Sequence, residues 1–319
     1  MAGIPPSIRG TYLFGKETSY GSGGTATKDI GLVQTFSVNA DANIVGLHGQ
    51  GQAKAVAVKN GLVTPKGNID ILYQHGRILE WAFFGGTTTH AATSTDETHT
   101  FVWAETLPSL AWEASYEMGT TDIVQKGTGL IFNGVTLSST VDGQLKVAGD
   151  WLAGTIDNSA TSVTAAVVNA GAPLGGFENS LSLGGSPVGF TQSWEIAMAA
   201  NTKVVHGEGT RAPAFGSSHE RGVTFKARVG FENTTQVTRT LGAAGSITTT
   251  EPSSFAVILA ADNGITLGSG KRAVTLTLSG AQFKYTTSAA KNDFVFVDID
   301  GVGILSAGTA VDQVLSAAW

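Results

Sequence analysis

Apolar and polar residues alternate with a period of two along much of this chain, which limits those segments to strands with one buried face. Residues 223–229, Val-Thr-Phe-Lys-Ala-Arg-Val, show the pattern most clearly, and residues 294–300 form a similar run that we expect to end at Asp300-Gly301. Residues 135–139 and 145–148 repeat it on either side of Asp142-Gly143, a favoured hairpin turn pair. Such alternation is typical of antiparallel sheets. The sequence therefore predicts a mainly β protein.

Helical periodicity is confined to two short segments. In residues 77–84, Ile78, Trp81 and Ala82 fall on one helical face, and Gly85-Gly86 is a plausible C-terminal stop. The C-terminal residues 309–318 are a second candidate. We predict one short helix packed on a sheet, and a second at the C-terminus.

Two segments of sixteen residues align at a constant spacing. Residues 36–51 and 194–209 differ in number by 158, about half of the 319-residue chain, and an aromatic residue opens each segment. Half-length spacing is what a tandem duplication predicts. The alternative is two unrelated strand–glycine-turn units. The identical pairs are Ala42/Ala200, Asn43/Asn201, His48/His206, Gly49/Gly207 and Gly51/Gly209. We interpret the last three pairs as repeat-related turns.

A weakly patterned, nearly uncharged stretch lies between these segments. Residues 169–176 and 184–189 are rich in glycine and proline, which is typical of loops and linkers. We place a boundary near residues 165–185. The prediction is a first module over residues 1–170, including an N-terminal arm, and a second over residues 171–319.

Composition excludes several classes of protein. The absence of cysteine removes disulfides, thiolate zinc sites and cysteine nucleophiles. Charged residues make up 14% of the chain, against about 25% in typical proteins, so we expect part of the surface to be buried against other subunits. A net charge of −6 argues against tight nucleic-acid binding. With no secretory signal and no run of 18 apolar residues, we expect a soluble protein that does not enter a membrane.

Residue patterns for chemistry are largely missing, so we expect no enzyme, cofactor or metal site. None of the histidines has a compact metal-ligand spacing; they are His48, His75, His90, His99, His206 and His219. His90 and His99 flank Asp96-Glu97 in the Thr-rich residues 87–100, which we interpret as a solvated loop rather than a weak ion site. Asp298 and Asp300 resemble a glycosidase acid–base pair, but acids are ordinary before a glycine turn.

The N-terminal motif resembles a known family. Gly15-Lys16-Glu17-Thr18-Ser19-Tyr20-Gly21-Ser22 is similar to the Gly-x-Glu-x-x-Tyr-Gly-Thr opening of tail tube proteins from long-tailed bacteriophages, with Gly15, Glu17, Tyr20 and Gly21 carrying the match. A Phe-x-Val strand, a glycine-rich turn, a strand and a short helix follow in the family's order. The chain departs at Gly51-Gln52-Ala53, where the family usually has an arginine.

The resemblance implies a siphovirus-type major tail tube protein with two modules per chain. Each module would be an antiparallel β-sandwich or half-barrel with a short helix, and its strands would join those of neighbouring copies into a barrel. Rings would stack into a hollow tube through which phage DNA is ejected without specific binding. The implied partners are other copies of the chain, the tape measure, the tail terminator and the distal tail protein. The implied location is the virion tail, after synthesis in the host cytoplasm.

Ring size and stacking leave alternatives open. Three two-module chains would make a pseudo-sixfold ring; the alternative is a hexamer in which the second module decorates the outside. An N-terminal segment could form an arm between rings or be a frayed terminus; the candidate residues are Ile4, Pro5, Pro6, Tyr20 and Gly21. Thr- and Gly-rich strands with six tryptophans would also suit a carbohydrate-binding or adhesin module. A capsid decoration or connector protein is the third possibility.

Overall fold

The chain folds mainly into antiparallel strands, which confirms the predicted fold class in its coarse form. The computed structural model describes residues 9–40, 42–48, 55–92, 96–117, 122–159, 172–175, 179–230, 254–266, 271–289, 295–304 and 309–315. The strands are β1 Arg9–Lys16, β2 Leu32–Phe36, β3 Ala42–His48, β4 Ala55–Val63, β5 Lys66–Leu72, β6 Gly85–Ala92, β7 Asp96–Trp103, β8 Leu110–Glu117, β9 Ile123–Thr140, β10 Lys146–Leu152, β11 Asn179–Leu183, β12 Ser186–Val188, β13 Thr191–Ala199, β14 Lys203–His206, β15 Pro213–Ser217, β16 Gly222–Gly230, β17 Phe255–Thr266, β18 Lys271–Ala289, β19 Val295–Ile304 and β20 Thr309–Leu315.

The helix predicted after β5 is confirmed, although it is wound more widely than an α-helix. A π-helix runs over Leu79–Phe84 and buries all of its side chains except that of Glu80, which is half-buried. It ends at Gly85, whose φ of 87° lies in the left-handed region that favours glycine. The predicted C-terminal helix is wrong. Residues 309–315 form β20, because they pair with β7 on one side and β18 on the other.

Three predicted breaks in the sheet are wrong as well. β19 continues through Asp300 and Gly301, because Gly301 lies against Phe283: a Cβ there would come within 2.8 Å of the Cβ of Phe283. Of the Thr-rich residues 87–100, expected to be a loop, residues 87–92 and 96–100 belong to the paired strands β6 and β7. In residues 184–189 the sheet is interrupted only at the turn between β11 and β12, so this segment is a hairpin and not a linker.

Sixteen of the described strands form one sheet. Its main path runs β12-β11-β17-β18-β19-β16-β13-β9-β10-β5-β2, and β8 links β1 to β9. Two hairpins, β3–β4 and β14–β15, pair separately.

Two sets of six strands in this sheet follow the same order. The first strand set is β1-β8-β9-β10-β5-β2, and the second strand set is β11-β17-β18-β19-β16-β13. Along the chain the first set is β1, β2, β5, β8, β9 and β10, and the second set is β11, β13, β16, β17, β18 and β19, so the spatial order follows from the chain order in the same way in both. In each set the separate hairpin lies between the second and third of these strands.

Pairing registers also coincide between the two sets. Phe36 lies opposite Ile69 in β2–β5, and Trp194 lies opposite Ala227 in β13–β16, each residue 158 positions later. A bulge interrupts both pairs at equivalent points, after Val33 and after Thr191. In the hairpins, His48 opposes Ala55 and His206 opposes Pro213, again with a bulge just before the histidine. The spacing found in the sequence is therefore also the spacing of the strand pairs.

Candidate assembly surface

The two strand sets meet along one edge. β9 of the first set pairs with β13 of the second, from Ser193 opposite Thr140 to Ala199 opposite Gly134. Backbone hydrogen bonds extend the joint at both ends, from the Val141 amide to the Gln192 carbonyl at 2.9 Å and from the Ala200 amide to the Asn133 carbonyl at 2.7 Å. We call this pairing the internal joint. It makes eight strands continuous, in the order β2-β5-β10-β9-β13-β16-β19-β18.

Both ends of this eight-strand path present strand edges. Within the described ranges, β2 pairs only with β5, and residues 284–288 of β18 pair only with β19. The amide of Ser37 donates to Asn68 at 2.9 Å, and that of Asn39 donates to Lys66 at 2.7 Å. Because backbone direction alternates along a strand, the amides of Phe36 and Val38 point away from β5. An unpaired strand edge of this kind is a template for another chain.

One face of the eight-strand path is polar and carries balanced charge. Its cross-strand ion pairs are Lys226 with Glu195 at 3.7 Å, Arg228 with Asp298 at 3.9 Å and Lys284 with Asp300 at 3.1 Å. A shallow depression of 610 Å³ crosses its middle strands. By strand alternation, five basic and five acidic described side chains project from this face: Lys66, Lys146, Lys226, Arg228 and Lys284, with Asp70, Asp150, Glu195, Asp298 and Asp300.

Arg221 connects the start of β16 to the π-helix and to the end of β7, away from the internal joint. It precedes β16, and its guanidinium donates to the carbonyls of Phe83, at 3.1 Å, and Phe84, at 3.4 Å, as well as to that of Ala104. It also lies 3.4 Å above the ring centroid of Trp103. Burial lowers the pKa of Arg221 to about 10, so it stays protonated at neutral pH. We call this contact the arginine clamp.

The family-like motif forms a turn that contacts β9 and the β14–β15 hairpin. The carboxylate of Glu17 is buried and accepts hydrogen bonds from the amides of Gly21 at 3.0 Å and Gly129 at 3.1 Å. Gly21 has a φ of 68°, which favours glycine. The ring of Tyr20 packs on Phe215 of the β14–β15 hairpin, with centroids 5.9 Å apart. Burial, and then the charge of Glu17, raises the pKa of Tyr20 to about 12. The motif residues are thus brought together as a structural brace.

Gly15 of the same motif allows a close backbone approach. A Cβ at this position would lie 2.1 Å from the Thr25 carbonyl oxygen. The remaining arm candidates, Ile4, Pro5 and Pro6, lie outside the described residues. The four residues that carry the family-like motif, Gly15, Glu17, Tyr20 and Gly21, lie close together at the end of β1 and in the turn that follows it.

The repeat-related histidines end equivalent strands. His206 closes β14, and its Nε2 lies 3.1 Å from the hydroxyl of Thr64; Gly207 and Gly209 follow in the turn. His48 closes β3, while Gly49 and Gly51 lie outside the described residues.

The other polar groups that the structure describes make local structural contacts. His75 Nε2 contacts Asp29 Oδ1 at 3.1 Å, and Arg77 contacts the same oxygen at 2.6 Å, which ties the helix start to the segment before β2. Asp298 and Asp300 each have a basic partner on the polar face. In the part of the chain that the structure describes, no three His, Asp or Glu residues are grouped as metal ligands. No helix there has the length and apolar character needed to cross a membrane.

Sequence reasoning missed the arginine clamp and the edge of β18. Arg221 stands directly before the clearest alternating run, but nothing in its neighbours indicates which carbonyls it will reach. The alternation of Lys284, Thr286 and Ser288 with Tyr285 and Thr287 could have indicated a strand, although not which of its two edges is unpaired.

Neither a comparison with protein-family models nor one with curated proteins finds a match for this chain.

Proposed function

We propose that this chain is a structural protein that polymerises edge to edge into rings and stacks into a hollow tube, the role of phage tail tube proteins. The observation that carries the proposal is the internal joint. Two strand sets of the same order are joined head to tail, because β9 of the first set, the equivalent of β18, pairs with β13 of the second set, the equivalent of β2. A head-to-tail contact between equivalent units closes into a ring when its rotation allows. The chain would thus be a two-module segment of such a ring.

Strand arithmetic supports a channel of useful width. Each chain supplies eight strands to the path, so three chains supply 24. At about 4.8 Å per strand the circumference is roughly 115 Å, and strand tilt brings the diameter to the order of 40–50 Å. Inward side chains still leave a channel wider than a nucleic-acid duplex. Closure would also pair the edges that β2 and β18 present.

The polar face is the side we assign to the channel. The opposite face is covered by the π-helix and by the buried side chains of the core, and such an added layer needs the larger outer circumference. Facing inwards, the polar face would present balanced charge, with its basic residues on β16 and β18 held in ion pairs. Phosphates bind where cations are free to displace counterions, so DNA would slide along such a wall.

Assembly of the purified chain tests the proposal. We expect sedimentation velocity to show a defined oligomer, and negative-stain microscopy to show rings or tubes with threefold or sixfold symmetry. Particles of this kind with an open centre would support the proposal. A monodisperse monomer that persists as concentration rises would contradict it, since exposed edges would then be blocked in another way.

The carbohydrate-binding alternative lacks the observation that it needs. Such a module predicts a groove lined by exposed tryptophan rings. Of the tryptophans that the structure describes, four are buried in the core and Trp103 lies under the arginine clamp. The tube proposal uses the strand edges and the polar face without requiring an aromatic groove.

A further inference from the structure

We propose that neighbouring copies of this chain join by repeating the internal joint in register. Residues 285–289 of β18 in one copy would pair antiparallel with residues 36–40 of the next, with Val38 opposite Thr287. This inference rests on the proposed function, since it names the partner surface of the ring. It is derived from the strand pairs within one chain.

The first step places β2 on β13. Three of the four described pairs of β2–β5 match pairs of β13–β16 at a difference of 158 residues. The fourth, Leu32 with Leu72, corresponds to the hydrogen bond from the Gly230 amide to the Phe190 carbonyl. Ile196 of β13 therefore corresponds to Val38.

The second step places β18 on β9. In the first strand set Leu137 of β9 opposes Val147 of β10; in the second, Thr287 of β18 opposes Val297 of β19. Thr287 and Val297 each lie 150 positions after their counterparts, Leu137 and Val147. Leu137 therefore corresponds to Thr287.

Combining the two steps gives the register between copies. Ile196 lies opposite Leu137 in the internal joint, so Val38 would lie opposite Thr287. Residues 193–198 of β13 likewise correspond to residues 35–40.

Backbone direction provides an independent check. The Gln192 carbonyl and the Ala200 amide both bond to β9, so even-numbered residues of β13 face the internal joint. Because 158 is an even number, the corresponding residues in and after β2 are also even-numbered, and the register requires them to face the neighbouring copy. The odd-numbered Ser37 and Asn39 donate to β5, which leaves Phe36 and Val38 facing outwards as the register requires.

Side chains at the proposed joint are compatible with pairing. Ser37 would lie opposite Ser288 on the polar face, where Glu195 opposes Ser138 in the internal joint. Val38 and Thr287 are both β-branched, which suits a sheet. No like charges would face each other among residues 36–40 and 285–289.

Engineered cysteines test the register, because the chain has no cysteine of its own. The test variant is S37C/S288C, a pair without mutual backbone hydrogen bonds, whose Cα atoms would be about 4.5 Å apart and within disulfide reach. The off-register control is S37C/T286C, on the same face but two residues away. The positive control is S138C/E195C, which should close within one chain across the internal joint.

We expect S37C/S288C, oxidised after assembly, to give a ladder of linked chains on a non-reducing gel. β2 and β18 end an eight-strand path and lie about 34 Å apart along it, so a link within one chain is excluded. The largest closed species counts the chains in a ring. The off-register control should link at least tenfold less, and the positive control should run as a monomer.

The outcomes separate this inference from the proposed function. Rings that form while S37C/S288C fails to link, with the positive control closed, would overturn the register and leave the tube proposal standing. Equal linking of S37C/T286C would overturn the register too. A chain that never assembles, with the positive control closed, would overturn both proposals.

Discussion

The two strand sets share their pairing but differ in their cores. The first set packs an aromatic cluster in which Phe36 stacks on Trp151 at 5.4 Å and contacts Trp112 at 5.7 Å. The positions equivalent to its Tyr12, Phe14, Phe36, Trp112 and Trp151 hold Leu181, Leu183, Trp194, Val257 and Gly301 in the second. The same strand order thus accommodates different volumes. Alternation and strand spacing, and not particular side chains, maintain the topology.

One position shows how volume is exchanged between the sets. In the first set Trp151 of β10 opposes Gly67 of β5; in the second, Gly301 of β19 opposes Phe225 of β16. The aromatic residue is on β10 in the first set, but in the second set it is on β16, the equivalent of β5, and the glycine is on the other strand of each pair. A Cβ on Gly67 would lie 2.5 Å from the Trp151 ring, so this glycine leaves the space that the opposite tryptophan fills, since protein interiors are close-packed.

Removing these aromatic residues should have the largest effect on stability. Trp151→Ala and Phe225→Ala each delete a side chain that is 1% exposed, and we expect each to cost about 3–5 kcal/mol in the free energy of unfolding. Urea denaturation followed by circular dichroism measures this. Because the internal joint couples the sets, we expect one transition to move in both variants.

A matched control is Gly222→Ala, where an added Cβ meets no atom within 4 Å. We expect it to change stability by no more than about 0.5 kcal/mol. Two separate transitions, with each variant shifting only its own, would show that the strand sets fold independently.

The arginine clamp should have an intermediate effect, because it joins the start of β16 in the second set to the π-helix and β7, which lie outside both sets. Arg221→Ala removes hydrogen bonds to three carbonyls and the contact with Trp103, and we expect a loss of about 2–3 kcal/mol. Arg211→Ala is the matched control: it is exposed and donates a single bond to the Gly61 carbonyl. Equal losses in urea denaturation would contradict a special role for the clamp.

Neutralising the acids on the polar face should affect stability least and DNA binding most. E195Q/D298N/D300N breaks three surface ion pairs, at a cost of about 1 kcal/mol or less. It also gives this part of the face an excess of three positive charges. We expect assembled protein to retain duplex DNA in a fluorescence anisotropy titration at low salt, with binding that weakens as salt rises.

The control D142N/E208Q/E220Q changes net charge equally at exposed residues outside the three ion pairs. We expect it to leave DNA binding unchanged. If both variants retained DNA equally, net charge alone would explain the effect, and the assignment of the polar face to the channel would lose its support.

Sequence reasoning succeeded where the signal is local. The run at residues 223–229 became β16 with every second side chain buried, and Asp142-Gly143 became the turn between β9 and β10. It failed where a distant strand decides. Residues 309–315 have a helix-compatible pattern, yet two neighbouring edges draw them into the sheet. Asp300-Gly301 resembles a turn signal, but Gly301 lies inside β19, where the absence of a side chain leaves room for Phe283.

The sequence by itself determined which faces of the strands are buried, where the π-helix ends and the spacing of 158 residues that relates β2 and β5 to β13 and β16. These properties depend on neighbouring residues or on internal similarity, so one chain is enough to display them. Tertiary structure alone decided that β9 pairs with β13, that Arg221 reaches the helix carbonyls and that β2 and β18 end the path. Each of these depends on which edge is open when distant segments meet, and backbone hydrogen bonding carries no local signature of its partner.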